Sequence, residues 1–268
     1  MKKKLTNFLL VIMLLVGVCL LIYPSASNYW NELHQSKAIA TYVEELENID
    51  TTEYDNLLNS VREYNMTLLN KSNRWAISDE EHFYYENLLN ISGNGVMGYI
   101  EIPQIKVSLP IYHGVSDVVL QVAVGHIEGT SIPLGGIGTH SVLSGHRGLP
   151  SAKLFTDLDK LVVGDIFLMR ILNETITYEV DQILIVKPEE VDALEIEEDK
   201  DYCTLVTCTP YGVNSHRMLV RGHRIENLEQ AKDIKIVAEA FQLDPLLIAP
   251  ILASPILLIL LFILIFKK

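Results

Sequence analysis

The sequence predicts a mostly-β domain, preceded by a helical preamble and carrying a membrane-spanning segment at each end. Three observations point to it. From Val96 onward the chain breaks into short β-rich runs punctuated by glycine and proline. Before that it is polar, acidic and patterned as helix. Both termini are long apolar runs bordered by lysine.

The β-rich runs cover residues 96–102, 107–112, 139–144, 166–172, 176–186, 203–208 and 218–224. Many short strands separated by turn signals read as a β-barrel or a β-sandwich. Short helices are expected over residues 118–126 and 152–161. Upstream, residues 29–90 carry Glu44, Glu45, Glu47, Asp50, Glu53 and Asp55, with apolar residues at mixed three- and four-residue steps. Ser78-Asp79-Glu80-Glu81 matches a capping box, in which Ser78 caps the helix and Glu81 reaches back. A helix over 79–89 should follow and end before the turn signal Ser92-Gly93-Asn94-Gly95.

Residues 5–23 are almost uninterruptedly apolar and follow Lys2, Lys3 and Lys4; residues 246–266 are a second such run, closed by Lys267 and Lys268. A spanning helix needs roughly 20 apolar residues. Lysine favours the cytoplasmic side, so both ends are expected inside and the middle outside. The first run could instead be a cleaved signal peptide, because Pro24-Ser25-Ala26-Ser27 offers small residues for cleavage. It is long for an apolar signal core of about 7–15 residues, and the middle is exported in either case. Pro250 and Pro255 in the second run are tolerated where freed backbone groups find partners. The expected organisation is an anchor or signal peptide over 1–28, a helical preamble over 29–92 and a catalytic domain over 93–227. A linker over 228–244 and a second span over 245–268 complete it.

The formal net charge of −13 argues against a nucleic-acid binder, because phosphate would be repelled. Of three cysteines, Cys203 and Cys208 fall in the exported part. They are an odd number of steps apart in one strand, which puts them on opposite faces and makes a bridge between them improbable. A free thiol outside the cell suggests reactive chemistry. With no CxxC pair and no HExxH, neither a metal site nor a cofactor is expected.

Three elements carry candidate chemistry. In Thr204-Leu205-Val206-Thr207-Cys208-Thr209-Pro210-Tyr211-Gly212 an apolar strand runs into a cysteine and then a turn, which holds the thiol rigidly at a rim yet reachable. A thiol attacks as thiolate, favoured by cationic neighbours. In Leu143-Ser144-Gly145-His146-Arg147-Gly148 a strand ends in glycines flanking a histidine, a residue suited to proton transfer near neutral pH. Arg217 and Arg221 lie on either side of Met218-Leu219-Val220, and an arginine beside a reacting acyl group orients it and holds oxyanion charge. Taken singly, each of the three is as readily a buried cysteine, a turn histidine or a surface cation.

Together these elements resemble the sortase family, and most of all its class C, the pilin-polymerising enzymes. The family's Thr-Leu-x-Thr-Cys stands as Thr204-Leu205-Val206-Thr207-Cys208. The class C likeness continues through Thr209-Pro210-Tyr211-Gly212-Val213-Asn214-Ser215-His216-Arg217-Met218-Leu219-Val220-Arg221-Gly222. Gly93-Asn94-Gly95-Val96-Met97-Gly98-Tyr99-Ile100-Glu101-Ile102-Pro103 is similar to the family's first barrel strand. Ser144-Gly145-His146-Arg147-Gly148 fits its histidine motif.

The resemblance implies a closed β-barrel of about eight strands and a metal-free cysteine transpeptidase. It implies Cys208 as nucleophile, His146 as general acid and base, and Arg217 as the orienting and oxyanion-holding cation, with Arg221 its competitor. Thr207 is implied as a substrate or oxyanion contact. The implied substrates are pilin or surface proteins with a Leu-Pro-x-Thr-Gly-like sorting signal, and the implied acceptor is a lysine of another pilin subunit. A housekeeping enzyme of cell-wall attachment, a hydrolytic cysteine peptidase and a non-enzymatic scaffold or adhesin compete with that reading. Class C enzymes commonly carry a lid with an Asp-Pro-aromatic motif over the cysteine. Here that place falls at Trp75-Ala76-Ile77, with neither Asp nor Pro. Trp75, or less readily Ile77, is then expected to plug the cleft without an ionic latch, or else Trp75 anchors the preamble to the barrel.

Overall fold

The computed structural model describes residues 2–227. The linker and second apolar run expected over 228–268 lie outside the described residues. These fall into two compact units, residues 2–33 with 150–152 and residues 34–149 with 153–227.

The first apolar run lies in helix α1, Lys2–Glu47, which carries Pro24 within it. Among the described residues this helix is the one long and apolar enough, by length and composition, to cross a membrane. The boundary expected at residue 28 falls inside α1 and is not a break in the helix.

In the second unit the preamble continues as α2, Thr51–Leu69, and α3, Asp79–Asn87. Asp50 starts α2 by accepting from Glu53 N at 2.9 Å. At α3 both arms of the predicted capping box form, Glu81 N to Ser78 Oγ and Ser78 N to Glu81 Oε2. The helix ends two residues earlier than expected, because Leu88 is extended and Leu89 takes φ 56°.

Eight strands follow: β1 Val96–Ile102, β2 Val107–His113, β3 Val124–His126, β4 Thr139–Ser144, β5 Ile166–Ile171, β6 Glu174–Val186, β7 Asp201–Thr209 and β8 His216–Arg224. They close into a barrel in the order β1-β2-β3-β4-β7-β8-β6-β5. The pairs β2/β3 and β4/β7 are parallel. The barrel replaces the open choice between barrel and sandwich.

Two predicted helices are corrected. Residues 118–126 give only a one-turn helix α4, Asp117–Leu120, and then strand β3. Gly125 lets β3 press so close to Gly114 that a Cβ there would stand 2.2 Å from its carbonyl oxygen. Residues 153–161 form turns and one short 3-10 segment, Leu158–Lys160, with Leu154 at φ 40° interrupting any helix.

The barrel core is largely apolar. Ile100, Leu143, Phe167, Met169, Tyr178, Leu205 and Val220 are fully buried, and Phe167 stacks on Tyr178 at 5.5 Å. The preamble segments of this unit are fixed to it by polar clamps on backbone groups. Tyr42 Oη accepts from Leu172 N at 2.7 Å. The Asn65 amide pairs with both the N–H and the carbonyl of Ile132. Each such bond contributes about 1 kcal/mol, and each would leave a buried group unpaired if lost.

Candidate active site

Strands β4, β7 and β8 bring the predicted residues to one end of the barrel. In β7 the side chains alternate. Cys203, Leu205 and Thr207 share one face, and Thr204, Val206 and Cys208 the other. Cys203 is fully buried, its sulfur 3.8 Å from that of Met169, and burial pushes its thiol well above the ordinary value. Cys208 is half-buried at the strand end, and both thiols are free.

Arg217 lies directly opposite Cys208 in the β7/β8 ladder, so their Cβ atoms are about 4.5–5.5 Å apart. Its guanidinium donates to the carbonyls of Asn214 and His216. Among the described residues no carboxylate pairs with it, in contrast to Arg221. Arg221 is differently employed. It makes a two-pronged pair with Asp181, at 3.0 and 2.8 Å, and lies 4.1 Å above the Tyr202 ring. Burial works against its charge, and the Asp181 carboxylate outweighs it.

His146 follows β4 by two residues. The parallel register joins Ser144 to Val206, and Gly145 N donates to the Val206 carbonyl at 3.0 Å. That bond, with the one from Thr207 Oγ1 to the Gly145 carbonyl, ties the start of the histidine loop to the end of β7 that carries Cys208. The loop around the histidine is held tightly. Phe155 N donates to the His146 carbonyl at 3.1 Å, and Gly148 N to Thr156 Oγ1 at 3.1 Å. Gly145 is required by space, since a Cβ there would stand 2.6 Å from the buried Phe155 ring; Gly148 has φ +74° and lies against the Tyr211 ring, 2.3 Å from where a Cβ would stand.

Thr207 departs from expectation. The sequence puts its hydroxyl at the substrate, but strand alternation turns it to the face opposite Cys208. There it is buried and donates to the Gly145 carbonyl at 2.8 Å. It is a contact of the histidine loop.

The preamble segment at the expected lid position is anchored by Arg74. Its buried guanidinium donates to the carbonyls of Gly129 at 3.1 Å and Leu194 at 2.8 Å. Trp75 lies under that guanidinium, 4.3 Å from it, and remains 37% exposed. Ile77 lines a cavity of about 540 Å³ with Tyr64, Leu68, Lys71 and Tyr84. Leu194 packs with Val142, Val206 and Leu219 on the outer face leading to Cys208, flanked by Ile127, Leu184 and Val186. Val206 shares its face of β7 with Cys208, so this apolar floor lies on the thiol's side of the strand.

Sequence reasoning missed Phe155, Thr156, Tyr211 and Asp181. The glycines of Gly145-His146-Arg147-Gly148 were the available signal that something packs closely there; what packs there comes from distant segments. No group of His, Cys, Asp or Glu that could hold a metal ion occurs among the described residues.

A family model described as a sortase domain matches residues 100–225. The crystal structure of sortase C1 from Streptococcus agalactiae is 52% identical, with 72% of this chain and 100% of that chain covered and a TM-score of 0.70. The chain belongs to the sortase family. Other structural neighbours are also class C sortases. One from Clostridium perfringens, solved with the C-terminal cell wall sorting motif, is 45% identical, with 72% and 100% covered and a TM-score of 0.63. Among curated proteins, sortase A of Streptococcus agalactiae is 32% identical over 117 residues, 42% of this chain and 47% of that protein. The chain spans about half the length of the curated relatives it matches.

Proposed function

We propose that this sortase is a membrane-anchored pilin polymerase acting outside the membrane, with Cys208 as nucleophile, His146 as general acid and base, and Arg217 as the substrate-orienting cation. The observation that supports it most is that Cys208 stands opposite Arg217 at the end of β7, the same end to which the start of the His146 loop is bonded through Gly145.

His146 takes the Cys208 proton, and the thiolate attacks the threonine carbonyl of a Leu-Pro-x-Thr-Gly-like sorting signal. The S–C bond forms, and Arg217 stabilises the charge that develops on the oxygen. The C–N bond to glycine then breaks as His146 protonates the leaving amine. A lysine amine of another pilin subunit attacks the thioester as His146 takes its proton; the new C–N bond forms, the C–S bond breaks, and that proton returns to the Cys208 sulfur. Two easier acyl transfers replace one hard amide exchange. The apolar floor of Val142, Val206, Leu219 and Leu194 suits an apolar residue of the signal. No metal is needed for this chemistry.

The anchor extends over residues 1–28, the preamble over 29–92 and the catalytic domain over 93–227, with the linker 228–244 and the second span 245–268 behind. The proposed topology is inside–outside–inside, supported by Lys2–Lys4 and Lys267–Lys268 at the outer ends of the two apolar runs. A reporter fused after Lys268 should be cytoplasmic, and extracellular protease should cut near residues 44–55. A mature N-terminus near Asn28 would make the first run a signal peptide.

The test of function is the product. The full chain with a sorting-signal peptide and a pilin bearing candidate lysines should give an isopeptide-linked product. Release of the free acid alone would make it a hydrolase. Transfer only to cell-wall precursor amines would make it a housekeeping enzyme, and no turnover at all a scaffold.

A further inference from the structure

Two residues bracket the histidine loop from opposite sides. From beneath, the buried Thr207 hydroxyl donates to the Gly145 carbonyl at 2.8 Å, one residue before His146. From outside, the Tyr211 ring rests on Gly148, two residues after it, 2.3 Å from where a Cβ would stand. Gly148 has φ +74°, a conformation that favours glycine. Thr207 and Tyr211 flank Cys208 in sequence on either side, Thr207 as the last residue before it and Tyr211 three after. The segment that carries the nucleophile therefore grips the loop that carries the base at two points.

We propose that Thr207 and Tyr211 are positioning residues that hold His146 in proton-transfer geometry with Cys208 and the leaving amine. The proposal rests on the assignment of Cys208 and His146 above. It assigns the Thr207 hydroxyl no oxyanion contact, since that hydroxyl is directed at Gly145. Thr207→Val keeps shape and removes the donor, leaving the Gly145 carbonyl buried and unpaired. Thr207→Ser keeps the donor. Tyr211→Ala removes the outer contact at a residue that is 63% exposed, so folding is not at risk.

The chemistry separates positioning from oxyanion binding. When the Thr–Gly amide breaks, the amine must be protonated, and His146 supplies that proton. In an analogue whose scissile bond is a thioester, the departing thiolate needs no proton. The tetrahedral oxyanion forms in both cases. A group that serves His146 is therefore felt more with the amide, and a group that serves the oxyanion is felt with both.

The experiment measures single-turnover acylation of Cys208 in the full chain, by intact mass, with a Leu-Pro-x-Thr-Gly peptide and its thioester analogue. A misplacement of about 1 Å costs on the order of a hundredfold. Thr207→Val should lose about tenfold to a hundredfold on the amide and no more than about threefold on the thioester. Thr207→Ser should stay within about threefold of the parent on both, and Tyr211→Ala should show the same split at smaller size. His146→Ala calibrates the split, and Arg217→Ala should lose on both substrates alike. Equal losses on both substrates for Thr207→Val and Tyr211→Ala, or no loss for either, would overturn the positioning role. If His146→Ala itself shows no split, or Cys208→Ala still acylates, it is the underlying assignment that fails.

Discussion

The two ends of the β7/β8 ribbon hold the same kinds of residue in opposite conditions. Where β7 begins, Arg221 is spent on Asp181 and Tyr202, Cys203 is sealed against Met169, and both ring nitrogens of His140 are engaged, by Glu195 O at 2.8 Å and Thr204 Oγ1 at 2.7 Å. Where β7 ends, Arg217 bonds only backbone carbonyls near its own turn, Cys208 is half-buried and His146 sits in a loop clamped through its backbone. Groups whose partners are all supplied by the fold stabilise it. Groups held in place but with no charged partner from the fold, such as Arg217 on its backbone carbonyls, are the ones available to a substrate. The difference separates the two arginines better than their spacing in the sequence does.

The comparison is broken most directly at those arginines. Arg217→Lys should lower transfer by about a hundredfold or more, since a point charge does not replace a planar fork, with the thermal midpoint unchanged. Arg221→Lys should do the reverse. It should cost about 1–3 kcal/mol of stability through the lost two-pronged pair and leave the turnover of folded enzyme nearly intact. Denaturant unfolding and steady-state rates on both variants check this. The opposite pattern would move the catalytic role to Arg221.

The preamble sharpens the same contrast, because Arg74 is another fully employed cation. It ties residues 73–78 to the Leu194 carbonyl, and Leu194 packs on the floor beside Cys208. Arg74→Met should speed modification of Cys208 by a small thiol reagent by about tenfold, each 1.4 kcal/mol being a factor of ten. Trp75→Ala should have the smaller effect, because Trp75 lies outside the clamp and is partly exposed. Unchanged labelling in both variants would leave this segment an anchor of the preamble with no hold on the cleft.

Acid titration tests the saturated end. Burial pushes His140 down to about 4 and His126 down to about 3, so both stay neutral in the fold. Below about pH 6.5 the unfolded chain binds protons that the fold refuses. Stability from these two groups is thus present above about pH 6.5 and is lost as pH falls toward 4 and 3. Each contributes a slope of up to about 1.4 kcal/mol per pH unit. Denaturant unfolding between pH 6.5 and 4 should show a shallower slope for His140→Gln than for the parent. An identical slope would mean that His140 is not held neutral.

Much of the fold could be read from the sequence where local chemistry decides it. The capping box at Ser78, the turn at Gly93–Gly95 and strands such as Thr139–Ser144 depend on nearby residues alone. Strand β3 was unreadable because three residues carry no period, and its pairing is set by Gly114 and by strands distant in sequence. Cys208, His146 and Arg217 were legible as motif positions. The face on which Thr207 points follows from strand alternation, but its partner Gly145 comes from another strand. The employment of Arg221 by Asp181, forty residues away, leaves no local trace.

The central claim is that Cys208 carries the acyl group. The full chain is incubated with a sorting-signal peptide, with and without an amine acceptor, quenched in acid and mapped by mass spectrometry. The account predicts an acyl adduct on the peptide containing Cys208, discharged to a new amide when amine is added, and absent in Cys208→Ala. An adduct on Cys203 or Cys19 instead, or amide product formed undiminished by Cys208→Ala, would contradict it.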